Sequence, residues 1–468
     1  IAVALFALVP VIARVPYLGA LVPADAFPGA LVLHVDLGVI IWFLAFGAAL
    51  WSGAGSRVPA SVRWAGWGLG VAGIGAMVAA PVVAKGPVLL ANYLPVIDSP
   101  VFLAGLGWAI AGVGIAAAAS LVGSGSTPAD RSAKVLRTGL RLAALAGLAA
   151  GGSWLVSVVT LVPASGLLRG YEDVAWGAGH ALSFMQVLLL IVAWLSVSAG
   201  AGLTLPVSPR AANFLLIVAA APLLAVPVIH IAYLPGSGEF REAFTRLMAY
   251  ASWPAASVFA AFIARALLRG WKAATSGRRA GLAFSIILFV LGCTVGATLH
   301  ADNTSVPAHY HGTIGAVTLA LMLLGLDLLP QFGASVIPAR LARWQPVVYG
   351  SGTLLLMLGL AVSGIDDAPR KTPWQHSASE GPGAMVAMGL AGLGGLMAIA
   401  AVLLFVWLVW RGLWVGHFPR GERSRANVAA GGRPALPGDS RPRALSLTLT
   451  AVVAGGIVLA SFGGDSSS

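Results

Sequence analysis

Apolar residues do not alternate along this chain; they run on. Thirteen stretches, centred near residues 8, 40, 74, 110, 150, 187, 222, 257, 290, 320, 355, 398 and 453, each come near the roughly 20 residues that a helix needs to cross a bilayer. Between them stand short loops rich in Gly, Pro and charge, none long enough for a soluble domain. The pattern predicts an all-α polytopic membrane protein with about 13 transmembrane helices. Spans one to twelve form one domain over residues 1–410, followed by a flexible basic inner-side linker over 411–443, and by a terminal helix with a short outer tail over 444–468. The first run is short for a span and no methionine precedes Ile1, so the natural N-terminus is expected upstream. No cleavable signal peptide is read.

Composition agrees with the pattern. The 468 residues are 58% hydrophobic and 9% charged, with a mean hydropathy of +0.90, outside the range of soluble domains. The net charge of +12 suggests nucleic acid only until the cations are placed, since they lie almost entirely in short loops. If the first span runs outward, 21 of the 28 Lys and Arg residues fall on the inner side. This fixes an orientation and excludes a nucleic-acid role. The single cysteine, Cys293, rules out internal disulfides, CxxC zinc sites and covalent CxxCH haem attachment.

Histidines carry the candidate chemistry. His309 and His311 open the run Gly312 to Leu329. On a helix, positions i and i+2 point about 200° apart, so one helix could hold two separate planar cofactors. On a strand the pair could chelate one metal, and an interfacial pair that merely anchors a helix end is the bland alternative. On the topology above, His34, His180, His230, His300, His309 and His311 gather near one outer depth on several helices. Ionisable groups at membrane depth mark a site more often than chance packing. His376 falls in an outer loop and reads as solvated; His417 lies inside. Asp36, two residues after His34, has no assigned role.

Taken together, His34 in LHVDLGVIIWF, the Trp176-x-x-Gly179-His180 motif, His230, the HxH of His309 and His311, and the loop GIDDAPRKTP resemble the catalytic subunit I of the haem–copper oxidase superfamily. That family includes cytochrome oxidases and nitric oxide reductases. The resemblance spans nearly the whole chain, in order. It implies that His34 and His311 bind a low-spin haem and that His309 binds a high-spin haem. It implies too that His180, with Trp176 beside it, and His230 hold a copper or non-haem iron. Asp302 and His300 would lie near the propionates, which Arg370 and Lys371 would neutralise. Two haems of b-type or a related kind are implied, with an outer c-type cytochrome as electron donor, a hetero-oligomeric complex in membrane lipid, and a bacterial inner membrane whose haem layer is near the periplasmic face. Two axial imidazoles suit electron transfer, and one leaves an open position for a gas.

The chain departs from the family at the non-haem metal. Ile231 stands where a third histidine is usual, and Phe184 stands where oxidases carry tyrosine and nitric oxide reductases glutamate. Tyr233, Glu239 and Glu242, the last two read as outer loop, offer no replacement. Apart from Asp327 the inner halves hold almost no carboxylates, which argues against proton pumping. Three readings stay open: a gas-reducing redox subunit (O2 or NO), an electron relay that has lost the binuclear metal, and a transporter with a histidine-lined site, which the lack of internal repeats disfavours.

Overall fold

The computed structural model describes residues 1–23, 25–53, 56–122, 130–165, 170–270, 277–299, 301–332, 337–374 and 382–417. Among these, eleven helices are long and apolar enough to cross a membrane, and Ala2–Arg14 is a shorter apolar helix. The protein is an all-α, polytopic integral membrane protein. The expected thirteenth span and most of the linker lie outside the described residues, as do His300 and His376. The helix Pro382–His417 runs seven residues into the stretch read as linker.

Local signals start several helices. Ser208 Oγ accepts from Ala211 N at 3.2 Å, with Pro209 in the first helical position of α8, Pro209–Ala220. Ser237 does the same for Phe240 N at 3.1 Å, opening α10, Gly238–Ala251. This helix corrects the reading of Glu239 and Glu242 as loop residues. Its mean hydropathy is low, but Phe240 and Phe244, one turn apart, are both fully buried while Arg246 and Glu242 pair on the outer face. It leads through Ser252–Trp253 into α11, Pro254–Arg269, and the two together make one span.

Burial ranks the helices. In the spans of α13, Ser305–Leu328, and α7, Tyr171–Gly200, 78% and 67% of the membrane-length window is buried, more than in any other described span. The helix carrying the HxH therefore sits at the centre of the bundle. One polar chain in that core is paired across helices, as burial in hydrocarbon favours: Trp194 Nε1 donates to Ser285 Oγ at 2.8 Å, which donates to Ala316 O at 2.8 Å. Small residues set the tightest contacts. A Cβ on Gly73 of α4, Ala60–Val83, would lie 2.5 Å from Gly105 O of α5, Pro100–Leu121, so those backbones touch only because both are glycine. At the opposite end from the HxH, Asp327, the carboxylate singled out in the inner half, pairs with Arg278 at 2.6 Å.

Candidate haem site and its neighbours

The start of α13 is stitched to the loop after α14, Ala339–Ile365. Thr304 N donates to Ala368 O at 3.0 Å, and Asn303 pairs with Pro369 as an isolated bridge. Asn303 Nδ2 donates to Gly364 O at 2.9 Å and Asp367 Oδ1 at 2.8 Å. This stitching places Arg370 and Lys371 over the first turn of the HxH helix. Lys371 adopts a left-handed φ of 59° in doing so.

From that turn, His311 and His309 leave α13 on different sides. His311 lines a cavity of about 1050 Å3, which His34 also lines. Its Nδ1 donates to Pro307 O at 2.7 Å, which fixes the tautomer and leaves Nε2 bare. His34 sits two residues before the π-helical turn Asp36–Ile41, which ends the first part of its helix, and its Nδ1 is buried with no hydrogen-bond partner. His309 turns the other way, toward α12, Gly277–Ala297: its Nδ1 lies 2.7 Å from Gly292 O, and a Cβ on Gly296 would collide with its ring.

Three cations line the cavity at the end of the two imidazoles: Arg14, Arg370 and Lys371, with Tyr310. Arg14 donates to Pro369 O at 2.7 Å. Arg370, with a side chain only 9% exposed, pairs with the largely exposed Asp302 and donates to Asn92 Oδ1. Lys371 Nζ donates to Leu90 O at 2.6 Å and Asn92 Oδ1 at 3.0 Å. Burial, and then the neighbouring Arg370 charge, hold Lys371 below the ordinary lysine range. Away from this cationic end the walls are apolar, including Trp42 edge-on to both Phe46 and Phe405 at ring distances of 4.8 and 6.1 Å.

A planar dianionic macrocycle fits these features. Two imidazoles face one apolar space, one buried ring nitrogen lacks a partner, and cations cluster where carboxylates would need them. The second expected metal site has a different character. His180 Nδ1 lies 2.7 Å from Trp176 O and its Nε2 lies 2.9 Å from Tyr93 OH, with Thr245 Oγ1 at 3.4 Å. His230 Nε2 is 2.8 Å from Ser153 Oγ. The Phe244 ring packs on both histidines, with centroids 6.3 Å from His180 and 5.6 Å from His230. Ile231 faces outward, 86% exposed, and Phe184 is buried in the main core. Among the described residues no group of three or more His, Cys, Asp or Glu side chains could hold a metal ion. Both ring nitrogens of His180 are engaged, His230 is left with one buried, unpartnered nitrogen, Nδ1, and an aromatic ring stands against both side chains, so the donors present do not fit a copper or non-haem iron, which wants three or four.

Sequence reasoning missed Arg14, Tyr310, Asn92 and Tyr93. Arg14 had a signal, as the one cation closing a 13-residue apolar helix. Asn92 and Tyr93 had none, being part of a short loop between β1, Val88–Leu89, and β2, Val96–Ile97. Burial, and then Glu172 close by, push the Tyr93 hydroxyl above the ordinary phenol range. Asp36 is completely buried and neither of its oxygens has a hydrogen-bond partner.

No family model matches the chain. An uncharacterised protein of Aquifex aeolicus (strain VF5) is 25% identical over 334 residues, 70% of this chain and 81% of that protein. Among solved structures, a haem–copper terminal oxidase dimer studied by cryo-electron microscopy has the same fold. Its TM-score is 0.64 at 17% identity, over 98% of this chain and 91% of that one.

Proposed function

We propose that this protein is a membrane redox subunit of the haem–copper oxidase type that binds a haem between His34 and His311 and passes electrons through it. The observation that carries the reading is the placement of these two imidazoles, on different helices, in one apolar cavity ending in Arg14, Arg370 and Lys371. The oxidase fold of the bundle supports it. A haem held there supplies a one-electron couple. The chain's own residues do the rest. The Pro307 carbonyl orients His311, the three cations neutralise carboxylates, and the apolar walls exclude water, which fixes the environment on which a reduction potential depends. With this end of the bundle on the outer side, as the distribution of Lys and Arg implies, the natural donor is an outer redox protein such as a c-type cytochrome, acting on a complex in a bacterial inner membrane.

A second haem on His309 is favoured by one observation. Its hydrogen bond to Gly292 O leaves Nε2 free to ligate. In that reading electrons pass across α13 from one face to the other and a gas is the acceptor; without it the chain is a relay.

The test is haem content and a reduced-minus-oxidised spectrum with and without carbon monoxide, on the purified chain and on H34A, H311A and H309A. We expect a low-spin, carbon monoxide-insensitive signal that disappears in H34A and H311A. Absence of haem, or a signal indifferent to both substitutions, rejects the proposal. A carbon monoxide-sensitive signal lost in H309A establishes the second haem.

A further inference from the structure

The Trp-x-x-Gly-His motif has a use in this chain that involves no metal. All three of its residues touch Tyr93. The Tyr93 ring packs edge-on to Trp176 at 5.3 Å. A Cβ on Gly179 would overlap that ring, so the glycine is the space in which it lies. His180 meets the hydroxyl at 2.9 Å, with ring centroids 4.6 Å apart. With the Nδ1 proton donated to Trp176 O, Nε2 is the acceptor and the phenol the donor, so both ring nitrogens are used. On the far side, Ser153 occupies His230 Nε2, and Phe240 and Phe244 fill the volume against the two histidines.

What Tyr93 anchors matters for the haem site. The hairpin has only two pairs, Val88 with Ile97 and Leu89 with Val96, too few to fix the tip between them. That tip is held by Tyr93 on His180 and by Asn92, whose N and Nδ2 donate to Glu172 at 2.9 and 2.6 Å. The same tip presents Leu90 O and Asn92 Oδ1 to Lys371, and Asn92 Oδ1 to Arg370. A continuous set of contacts therefore runs from His180, through Tyr93 and Asn92, to two cations of the haem cavity.

We infer that His180 is a positioning residue and not a metal ligand: with Trp176 and Gly179 it forms a receptor for Tyr93, and the hairpin so anchored holds Arg370 and Lys371 at the cavity. The inference rests on the proposed haem site for its consequence. It stands apart from that proposal in its account of the metal.

Two measurements on the full-length protein test it. The first is metal content, as purified and after titration with Cu(I), Fe(II) or Zn(II), for the wild type and H180Q; no stoichiometric metal that depends on His180 is expected. The second is the midpoint potential and dissociation rate of the haem in Y93F, H180L and H180Q. Y93F removes one oxygen atom and keeps the ring, so it reports even if H180L fails to fold. Loss of the anchor lets the cations drift, so Y93F and H180L should lower the potential and release haem about tenfold faster. H180Q, which retains an acceptor for the phenol, should restore both. In the double variant Y93F/H180Q the rescue should vanish, because the two side chains act through one bond. One copper or iron per chain that disappears in H180Q overturns the inference, and so does an unchanged potential in Y93F. A chain that binds no haem at all sinks the proposed function instead, and the metal titration still judges His180.

Discussion

Arg370→Met separates a cation that binds a ligand from one that holds a loop. Its guanidinium is 9% exposed and sits with Arg14 and Lys371 at one cavity, while its carboxylate partner, Asp302, is 76% exposed. A charge pair at 4 Å in a medium of effective dielectric about 20 is worth about 4 kcal/mol. The two remaining cations recover part of this, so a loss of about 2 kcal/mol, or about 30-fold in haem affinity, is expected. The haem-free chain should respond in the opposite sense. There the substitution relieves repulsion with Lys371 and removes a charge from a buried position, and Asp302 is left in solvent. Thermal unfolding of haem-free R370M should therefore occur at or above the wild-type temperature, while haem titration followed at the Soret band shows the weaker binding. An R370M chain with wild-type haem affinity and a lowered unfolding temperature would falsify the assignment and leave Arg370 as a loop fastener through Asp302 and Asn92.

Further outcomes follow from the same contacts. H311M should keep a six-coordinate low-spin haem with a raised midpoint potential, whereas H311A should lose the low-spin spectrum; identical spectra in the two variants would show that residue 311 is not an axial ligand. Because Lys371 in the folded, haem-free chain lies below its ordinary value of 10.5, its charged form is disfavoured by folding. Stability of the haem-free chain should rise as pH climbs from that lowered value to 10.5, and haem affinity should fall over the same range as the cation is lost. K371M should abolish both trends, read by thermal unfolding and haem titration across alkaline pH. Gly179→Ala should push the Tyr93 ring aside and destabilise the fold by about 1–3 kcal/mol, the usual cost of overpacking, with a wild-type denaturation curve as the contrary result.

The membrane fold was legible because hydrocarbon imposes one rule on every span: backbone groups pair within the helix and side chains stay apolar. That rule writes long runs into the sequence whatever the tertiary partners are. It is silent where a helix is half in the core and half at the surface. The segment Gly238–Ala251 carries Glu239, Arg241, Glu242 and Arg246 among its apolar residues, so its run is broken, and the one-turn spacing of Phe240 and Phe244 is a short signal. Tertiary packing, not run length, makes it a helix. The opposing directions of His309 and His311 were legible too, since they follow from helix geometry alone.

The ambiguity at His180 has the same origin. A motif of tryptophan, glycine and histidine on one helix states what that helix offers: an indole edge, a gap and two ring nitrogens. Whether a metal or a phenol accepts the offer depends on what arrives from elsewhere, and here Tyr93 comes from 87 residues away and Phe244 from a helix that the apolar pattern hides. Once both are in place, the chemistry follows from counting: both nitrogens of His180 are hydrogen-bonded, and His230 has one nitrogen on Ser153, with aromatic rings packed around the side chain. His311 differs in what its untied nitrogen has beside it. One of its nitrogens is tied to a backbone carbonyl and the ring borders an open cavity, so its ligating atom is left free. The same side chain can therefore be a ligand on α13 and a fastener on α7, and the difference between them is a single hydrogen bond.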